Sequence, residues 1–207
     1  MLGPDKINYY LSLFRDITLD DLQHIIGLAT PRQLSAGEIY IRPGSSQNKL
    51  AYITQGIIRV YYVKDSGEEF TVLLRWEDQF FSSYDSTLFH QPSRFTYEAL
   101  EDTQLLETDF NVLMDFLDQD PRLARTKQFF LLDMLAEAMH RVESFVLLSP
   151  EERYLAFIQE KPDIIQRVPG KYLASLLGVT PVSLSRIRSR IASKPIPQHP
   201  PLPGQRD

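Results

Sequence analysis

The sequence predicts an α+β protein with a β-rich N-terminal domain, one long helix and a small helical C-terminal domain. Three observations carry this prediction. Residues 32–108 hold short β-rich runs separated by glycine turns, which is typical of an antiparallel sandwich or barrel. Residues 122–148 contain no glycine or proline, as expected of a single long helix. Residues 170–191 read as two short helices around one glycine.

Composition restricts the class of protein. The chain has 207 residues, of which 43% are hydrophobic and 24% charged, as in ordinary globular proteins. It has no cysteine, which excludes disulfides, thiolate zinc sites and iron–sulfur clusters. No apolar run approaches the roughly 20 residues that span a bilayer, and the N-terminus lacks the apolar core of a signal peptide. We therefore expect a cytoplasmic protein with no membrane partner.

Charge is divided unevenly along the chain. From Ile164 to Asp207 there are seven basic residues and one acid, a net charge of +6. Because the whole chain carries −5, the preceding residues carry −11. An acidic body with a basic end is expected when only one domain faces nucleic acid.

Residue spacing locates the individual elements of the N-terminal half. Helical spacing covers residues 5–29, with Thr18 as an N-cap inside this range. Glycines at Gly56 and Gly67 then indicate two hairpins that need positive φ. The predicted strands are Ile39–Ile41, Leu50–Thr54, Ile57–Val63, Glu69–Leu74, Tyr97–Leu100 and Gln104–Glu107.

The long helix carries an apolar seam. Five residues recur at steps of three and four, which is the heptad pattern of a coiled coil. The pattern predicts a dimerisation helix. It covers about two heptads where coiled coils commonly have three or four, so a helix buried on two sides within a monomer is the alternative. The seam residues are Leu132, Leu135, Met139, Val142 and Val146.

Residues 149–191 predict a helix-turn-helix. Ser149 and Pro150 start a new helix and mark a domain boundary. Gly178 allows the chain to leave one short helix, and Thr180 and Pro181 suit the cap and first position of the next. Such a motif lays its second helix in the DNA major groove. An ordinary helical hairpin is the alternative.

The outward face of the second short helix offers hydroxyl and guanidinium groups. These groups suit phosphates and base edges, so double-stranded DNA is the predicted partner. The residues expected to contact DNA are Lys171, Thr180, Ser183, Ser185, Arg186 and Arg190.

Motifs in both halves carry a family resemblance. Gly37-Glu38, Gly44, Tyr52-Ile53, Gly56 and Val60 follow the strand-and-turn pattern of the cyclic-nucleotide-binding β-roll. With the Arg167-Val-Pro, Ala174, Leu177-Gly178 and Leu184-Ser-Arg-Ile-Arg188 pattern near the other end, the chain resembles the Crp/Fnr family of bacterial transcription regulators.

The resemblance implies an organisation for the whole chain. Residues 1–118 would form an antiparallel β-roll sensor of the double-stranded β-helix type, with flanking helices. Residues 119–148 would form the helix of a homodimer, and residues 149–194 a winged-helix-like DNA-binding domain. RNA polymerase would be a further partner. Residues 195–207 are rich in proline, so we expect them to be disordered and to form no regular wing.

The expected ligand site departs from the family pattern. There, a Phe-Gly-Glu-Leu turn and a later Arg-Ser/Thr-Ala hold the cyclic nucleotide. Here the corresponding stretches are Phe81-Ser-Ser-Tyr-Asp85 and Ser93-Arg-Phe95, and a one-position shift of Arg94 would turn it to the other face of a strand. We therefore expect no cyclic AMP and assign no cofactor. Another small anion, an apolar ligand, or a β-roll without a ligand are the alternatives. The candidate pocket residues are Tyr61, Phe81, Ser82, Ser83, Tyr84, Arg94 and Tyr97.

Two other functions are weighed against a DNA-binding regulator. One is a ligand-binding β-roll protein whose C-terminal domain serves only as an interaction module. The other is a cupin-like enzyme, but a cupin metal site needs several histidine and glutamate ligands and the β region contains only His90. The sequence shows no nucleophile–base arrangement and no Walker loop. No enzyme activity is expected.

Overall fold

The computed structural model describes residues 17–193, without the side chains of residues 129, 130 and 133. The predictions for residues 5–16 and for the 195–207 tail lie outside these residues. The chain divides into two compact units between Leu148 and Ser149. Each unit is described by itself.

Eight strands in the described part of the first unit form two antiparallel sheets of four strands. The first sheet has the order β1-β8-β3-β6 and the second β2-β7-β4-β5. The strands are β1 Thr30–Leu34, β2 Ile39–Ile41, β3 Lys49–Gln55, β4 Ile58–Val63, β5 Glu69–Arg75, β6 Phe80–Ser82, β7 Thr96–Ala99 and β8 Thr103–Asp109.

The core of the first unit lies between the two sheets. Alternate residues point inward along each strand, because successive side chains of a strand face opposite sides. One sheet contributes Leu34, Ala51, Ile53, Phe81 and Leu105, and the other contributes Ile41, Ile58, Val60, Tyr97 and Ala99. The predicted β-roll class is confirmed.

The six predicted strands are present, with ends that differ by at most two residues. Two strands, β1 and β6, were not predicted, and they form the two edges of the first sheet. Strand β1 is exposed at four of its five positions and contains Pro31, which an edge strand tolerates because one side of it has no ladder partner. Strand β6 has three residues. Neither strand carries the alternation of apolar residues that reveals a strand in a sequence.

Eight helices occur among residues 17–193. Thr18 caps α1 and Ser149 caps α5, each in a reciprocal capping box with the residue three positions later. The predicted N-caps at these two positions are therefore confirmed. The helices are α1 Leu19–Gly27, α2 Tyr84–Thr87, α3 Phe110–Asp118, α4 Pro121–Leu147, α5 Pro150–Glu160, α6 Ile164–Arg167, α7 Gly170–Leu176 and α8 Pro181–Ala192.

Helices α1 and α3 cover the outer face of the first sheet. Leu50 and Tyr52 alternate with the inward residues of β3 and join Leu22, Leu113 and Leu117 in a second buried cluster. Leu123, near the start of α4, belongs to the same cluster. Further along α4, Glu137 forms an ion pair with Arg75 of β5. No helix in the described ranges combines the length and apolar character needed to cross a membrane.

The β3–β4 hairpin turns on Gly56. Its φ is +102°, a conformation that residues with a Cβ rarely adopt. An added Cβ would also lie 2.3 Å from Oγ1 and 2.7 Å from Cα of Thr103. Both the backbone angle and the close approach of β8 therefore require glycine here.

We predict that Gly56→Ala lowers the free energy of unfolding of the first unit by about 2–4 kcal/mol, because it adds backbone strain and a clash with a fixed backbone atom. Urea unfolding followed by the fluorescence of Trp76, the single tryptophan, measures the effect. Gly27→Ala is the matched control, since an added Cβ there meets no atom within 4 Å, and it should change stability by less than about 1 kcal/mol. Equal effects of the two changes would contradict this account of Gly56.

Candidate nucleic-acid interface and ligand pocket

A four-residue turn joins α7 to α8. Gly178 has φ +69°. Its N–H donates to the Ser175 carbonyl at 3.0 Å, and the Val179 N–H donates to the Ala174 carbonyl at 2.9 Å. This pair of bonds is a Schellman motif, which satisfies the last carbonyls of a helix. Thr180 then caps α8 by accepting from the Ser183 N–H at 3.1 Å, so the predicted turn and cap are confirmed.

Buried side chains hold α7 and α8 together. Leu173 and Ala174 of α7 pack inside the second unit, as do Leu184 and Ile187 of α8. The guanidinium of Arg153 in α5 donates from Nε and Nη2 to the Leu177 carbonyl at 3.2 and 3.0 Å. A cation therefore sits at the negative end of α7, where it is favourable. The arrangement is a helix-turn-helix.

The outward face of α8 is polar, basic and partly apolar. Ser185, Arg186, Ser189 and Arg190 are exposed on it. Val182, in the first turn, is 62% exposed. The helix contains no acidic residue, so it offers an anionic ligand no carboxylate to repel it.

Three of the predicted DNA contacts, Thr180, Ser183 and Arg190, have partners within the second unit. The half-buried Ser183 accepts a hydrogen bond from the Thr180 hydroxyl at 2.9 Å. Arg190 Nη2 forms an ion pair with Glu151 at 3.2 Å. Among the other predicted contacts, Lys171 is exposed with its ammonium 4.8 Å from the centre of the Tyr172 ring. Ser185 and Arg186 are therefore the predicted contacts that the structure leaves best placed.

Arg188 differs from the other arginines of α8 because it points inward. Its guanidinium carbon lies 5.7 Å from the centre of the Tyr154 ring, and its Nε and Nη2 are shielded from solvent. The sequence carried a signal for this, since Arg188 follows the buried Leu184 by four residues and so shares its face. The net charge of the segment therefore overstates the charge that α8 presents outward.

Helix α4 presents its apolar seam to solvent in the single chain. All five seam residues are between 49% and 75% exposed, and Leu147 at the end of the helix is also exposed. A continuous apolar surface of this kind is characteristic of protein–protein contacts. The seam residues are Leu132, Leu135, Met139, Val142 and Val146.

The predicted pocket residues do not line one cavity. Phe81 and Tyr97 are buried in the core between the sheets, with their ring centres 6.0 Å apart. The Tyr97 hydroxyl donates to the Ser82 carbonyl at 3.0 Å, and burial raises the pKa of Tyr97. These two side chains are part of the buried core between the sheets.

Tyr61 lies on the opposite face of the second sheet. Val60 pairs with Tyr97, and Tyr61 pairs with Thr96, so the two tyrosines point to opposite sides. The Tyr61 ring instead packs 4.0 Å from the guanidinium carbon of the buried Arg59. The structure therefore does not bring Tyr61 together with Phe81 and Tyr97, and the predicted grouping is corrected.

Arg94 is paired with a carboxylate of the same chain. Asp85, in the short helix α2, is 3% exposed. It accepts hydrogen bonds from the Arg94 backbone N–H at 3.0 Å, from Nε at 3.2 Å and from Nη2 at 2.8 Å. Asp85 thus takes the backbone donor and one edge of the guanidinium, the groups that an anionic ligand would use.

The charge of Arg94 also sets the protonation of Asp85. Burial alone raises the pKa of this carboxyl, but the hydrogen bonds and positive charge of Arg94 outweigh it and hold the pKa below the ordinary value. Asp85 therefore stays ionised at neutral pH. Around it, Ser83 and Ser86 are buried with a hydrogen bond between their hydroxyls.

Tyr84 and Arg94 were predicted from the sequence as pocket residues, but the role of Asp85 was not. Tyr84 is partly exposed and packs against Phe95, with ring centres 5.7 Å apart. The residue types of the ion pair are visible in the sequence, but their pairing across nine positions depends on the fold. Residues 17–193 contain no group of three or more histidine, aspartate or glutamate side chains placed to hold a metal ion.

Comparisons with known proteins agree with this architecture. The family model described as the cyclic nucleotide-binding domain matches residues 31–120. An anaerobic regulatory protein of Haemophilus influenzae is 32% identical over 143 residues, which are 68% of this chain and 53% of that protein. The chain spans about half the length of the curated relatives it matches.

Solved structures share the fold at low sequence identity. FixK2 from Bradyrhizobium japonicum superposes with a TM-score of 0.67 and 19% identity, over 80% of this chain and 85% of that one. A transcriptional regulator of the CRP/FNR family from Thermus thermophilus superposes with a TM-score of 0.59 and 22% identity, over 79% of this chain and 86% of that one.

The fold and the second unit define a class: β-roll proteins that carry a long helix and a C-terminal helix-turn-helix. Within that class, residues 31–120 form a domain of the cyclic nucleotide-binding type, and the chain shares its fold with a regulator of the CRP/FNR family.

The Asp85–Arg94 pair predicts a pH-dependent stability. Because the pKa of Asp85 in the folded protein lies below its ordinary value of 3.8, the pair stabilises the folded state above that pH and loses its effect as the pH falls through the folded-state pKa. Asp85→Asn should therefore lower the melting temperature of the first unit at pH 7 and have a smaller effect at pH 3. Thermal unfolding followed by Trp76 fluorescence at the two pH values measures this.

Asp65→Asn is the matched control, because Asp65 is an exposed residue of the β4–β5 turn where asparagine is equally suited. It should change the melting temperature little at either pH. A destabilisation by Asp85→Asn that is the same at pH 3 and pH 7 would show that the ion pair is not its source.

Proposed function

We propose that this chain is a DNA-binding transcription regulator that acts as a homodimer in the bacterial cytoplasm. The observation that carries the proposal is the outward face of α8, which presents Ser185, Arg186 and Ser189 from a helix without acids. Hydroxyls and a guanidinium fork suit phosphates and the guanine edge. The printed names of the Haemophilus and Thermus relatives describe regulators, which supports the same function here.

Homodimer formation through α4 is supported by the exposed seam. In one chain the seam leaves five large apolar side chains in water, and a second copy of the same helix would cover them by knobs-into-holes packing. A two-fold dimer also explains how one short recognition helix binds specifically. Two such helices read half-sites about one DNA turn apart.

We propose further that the β-roll does not respond to cyclic AMP. Phe81 and Tyr97 fill the interior, and the Asp85 carboxylate takes the groups of Arg94 that a cyclic phosphate would need. A phosphate that bound the Nε–Nη2 edge of Arg94 would have to displace the buried Asp85 carboxylate from its cation, which is strongly unfavourable. On this proposal the first unit senses another ligand or supports the dimer without one.

The dimer proposal predicts that Leu135→Glu combined with Met139→Glu abolishes self-association. In a symmetric dimer, the two introduced glutamates would lie opposite the same glutamates of the second chain. Association would also remove water from these charges. Light scattering after size-exclusion chromatography should give twice the 23.9 kDa of the chain for the unmodified protein and the monomer mass for the variant. Val112→Glu, at another exposed apolar residue, should remain dimeric. A monomeric unmodified protein at tens of micromolar would contradict the proposal.

The DNA-binding proposal is tested by selection from a random duplex library with the full chain, followed by fluorescence anisotropy on the selected site. Arg186→Ala should reduce discrimination by about 1–3 kcal/mol for each half-site, because one guanidinium fork per half-site is lost. Arg186→Lys should keep most non-specific binding but lose discrimination, since an ammonium lacks the fork. Arg42→Ala removes the same charge from an exposed site of the first unit and should leave binding unchanged.

The anisotropy measurement is repeated at several salt concentrations and in the presence of cyclic AMP. Affinity should fall steeply as salt rises, because phosphate contacts release counterions, and saturating cyclic AMP should leave affinity unchanged. A rise in affinity with cyclic AMP would contradict the sensor proposal alone. If no sequence is selected and no saturable binding occurs at low salt, the chain is instead an interaction module with a β-roll.

A further inference from the structure

The first turn of α8 exposes a large apolar side chain. Val182 is 62% exposed, and in the described part of the second unit it is the one large hydrophobic residue that is mostly exposed. Its apolar neighbours on the helix, Leu184 and Ile187, are buried in the core. Val182 therefore contributes no packing that would account for a valine at this position.

The geometry of the cap makes Val182 the outward residue of the first turn. Pro181 occupies the first helical position, and Ser183 is half-buried and bonded to Thr180. Ser185 and Arg186 follow Val182 by three and four residues, so all three share one face. In a helix-turn-helix the N-terminal residues of the second helix are the ones that contact base edges.

The chemistry of this face points to one base. The apolar group exposed in the major groove is the 5-methyl of thymine, whereas cytosine presents an amino donor that aspartate or glutamate would accept. Helix α8 contains no aspartate or glutamate, and its first turn offers the two methyl groups of Val182. At the base contacted by this first turn, α8 therefore suits thymine and not cytosine.

We propose that Val182 is a specificity-determining residue that packs against the 5-methyl group of a thymine in each half-site. The inference rests on the proposed DNA binding and adds the base that the first turn of α8 selects. Removing one methyl group from that contact should weaken binding about fourfold for each half-site, from the transfer free energy of one buried methylene-sized group.

The test replaces single thymines of the selected site by uracil, which deletes the 5-methyl group and leaves every hydrogen-bonding atom in place. Affinities of the full chain for the thymine and uracil duplexes are measured by fluorescence anisotropy. We expect one thymine in each half-site at which uracil weakens binding about fourfold. With Val182→Ala, the same uracil substitution should have a clearly smaller effect, because the two γ-methyl groups that reach the thymine methyl are removed and only the shorter Cβ remains.

Two controls separate this contact from general effects. Val112→Ala makes the same chemical change at an exposed residue of α3 and should keep the full sensitivity to uracil. The melting temperature of Val182→Ala should be unchanged, because the side chain is mostly exposed and alanine favours helix.

The outcomes distinguish this inference from the function it rests on. Binding that is insensitive to uracil at every position, or a uracil effect that is undiminished in Val182→Ala, would overturn the role of Val182 while leaving DNA binding intact. Failure to select any sequence would remove the proposed function itself.

Discussion

The alternation of side chains along β3 is the constraint on which the first unit depends. Ala51 and Ile53 enter the core between the two sheets, while Leu50 and Tyr52 enter the cluster beneath α1 and α3. One strand thus belongs to two apolar layers. A slip of its register by one residue would exchange these layers, so β3 aligns both the β-roll and the helices that cover it.

The same close packing limits the free space inside the first unit. Its interior is filled by side chains from both sheets, including Phe81 and Tyr97, and protein interiors packed in this way have few voids large enough for a ligand. At the edge of this core, Asp85 and Arg94 neutralise each other. The β-roll therefore carries an internal ion pair at the edge of its core, and its fold alone does not identify a ligand.

In the second unit, the turn between α7 and α8 has the corresponding role. Gly178 and the Thr180 cap determine where α8 begins, and the buried Leu184 and Ile187 determine which side of it faces the core. The outward side then follows from helical geometry. Because Arg188 turns inward and Arg190 pairs with Glu151, the remaining outward surface of α8 is small, and the exposed Arg186 and Val182 share one face of it.

Elements whose signals lie within a few neighbouring residues were predictable from the sequence alone. The six strands with apolar alternation, the caps at Thr18 and Thr180, the turn glycines and the extent of the long helix were all predictable, since each depends on local backbone preferences. The family was recognisable for the same reason. The edge strands β1 and β6 were not, because an edge strand is stabilised by one neighbour and needs no apolar pattern of its own.

Contacts between side chains that are distant in the sequence follow from the fold. Asp85 and Arg94 are nine residues apart in the sequence. Tyr61 lies on the face opposite Tyr97 because β4 pairs with β7 in one particular register. Glu151 reaches Arg190 only when α5 packs near the end of α8. Local propensity selects helices and strands, but pairing and burial depend on distances between residues remote in sequence. The partners of the charged groups, and hence the chemistry of the candidate sites, come from the fold.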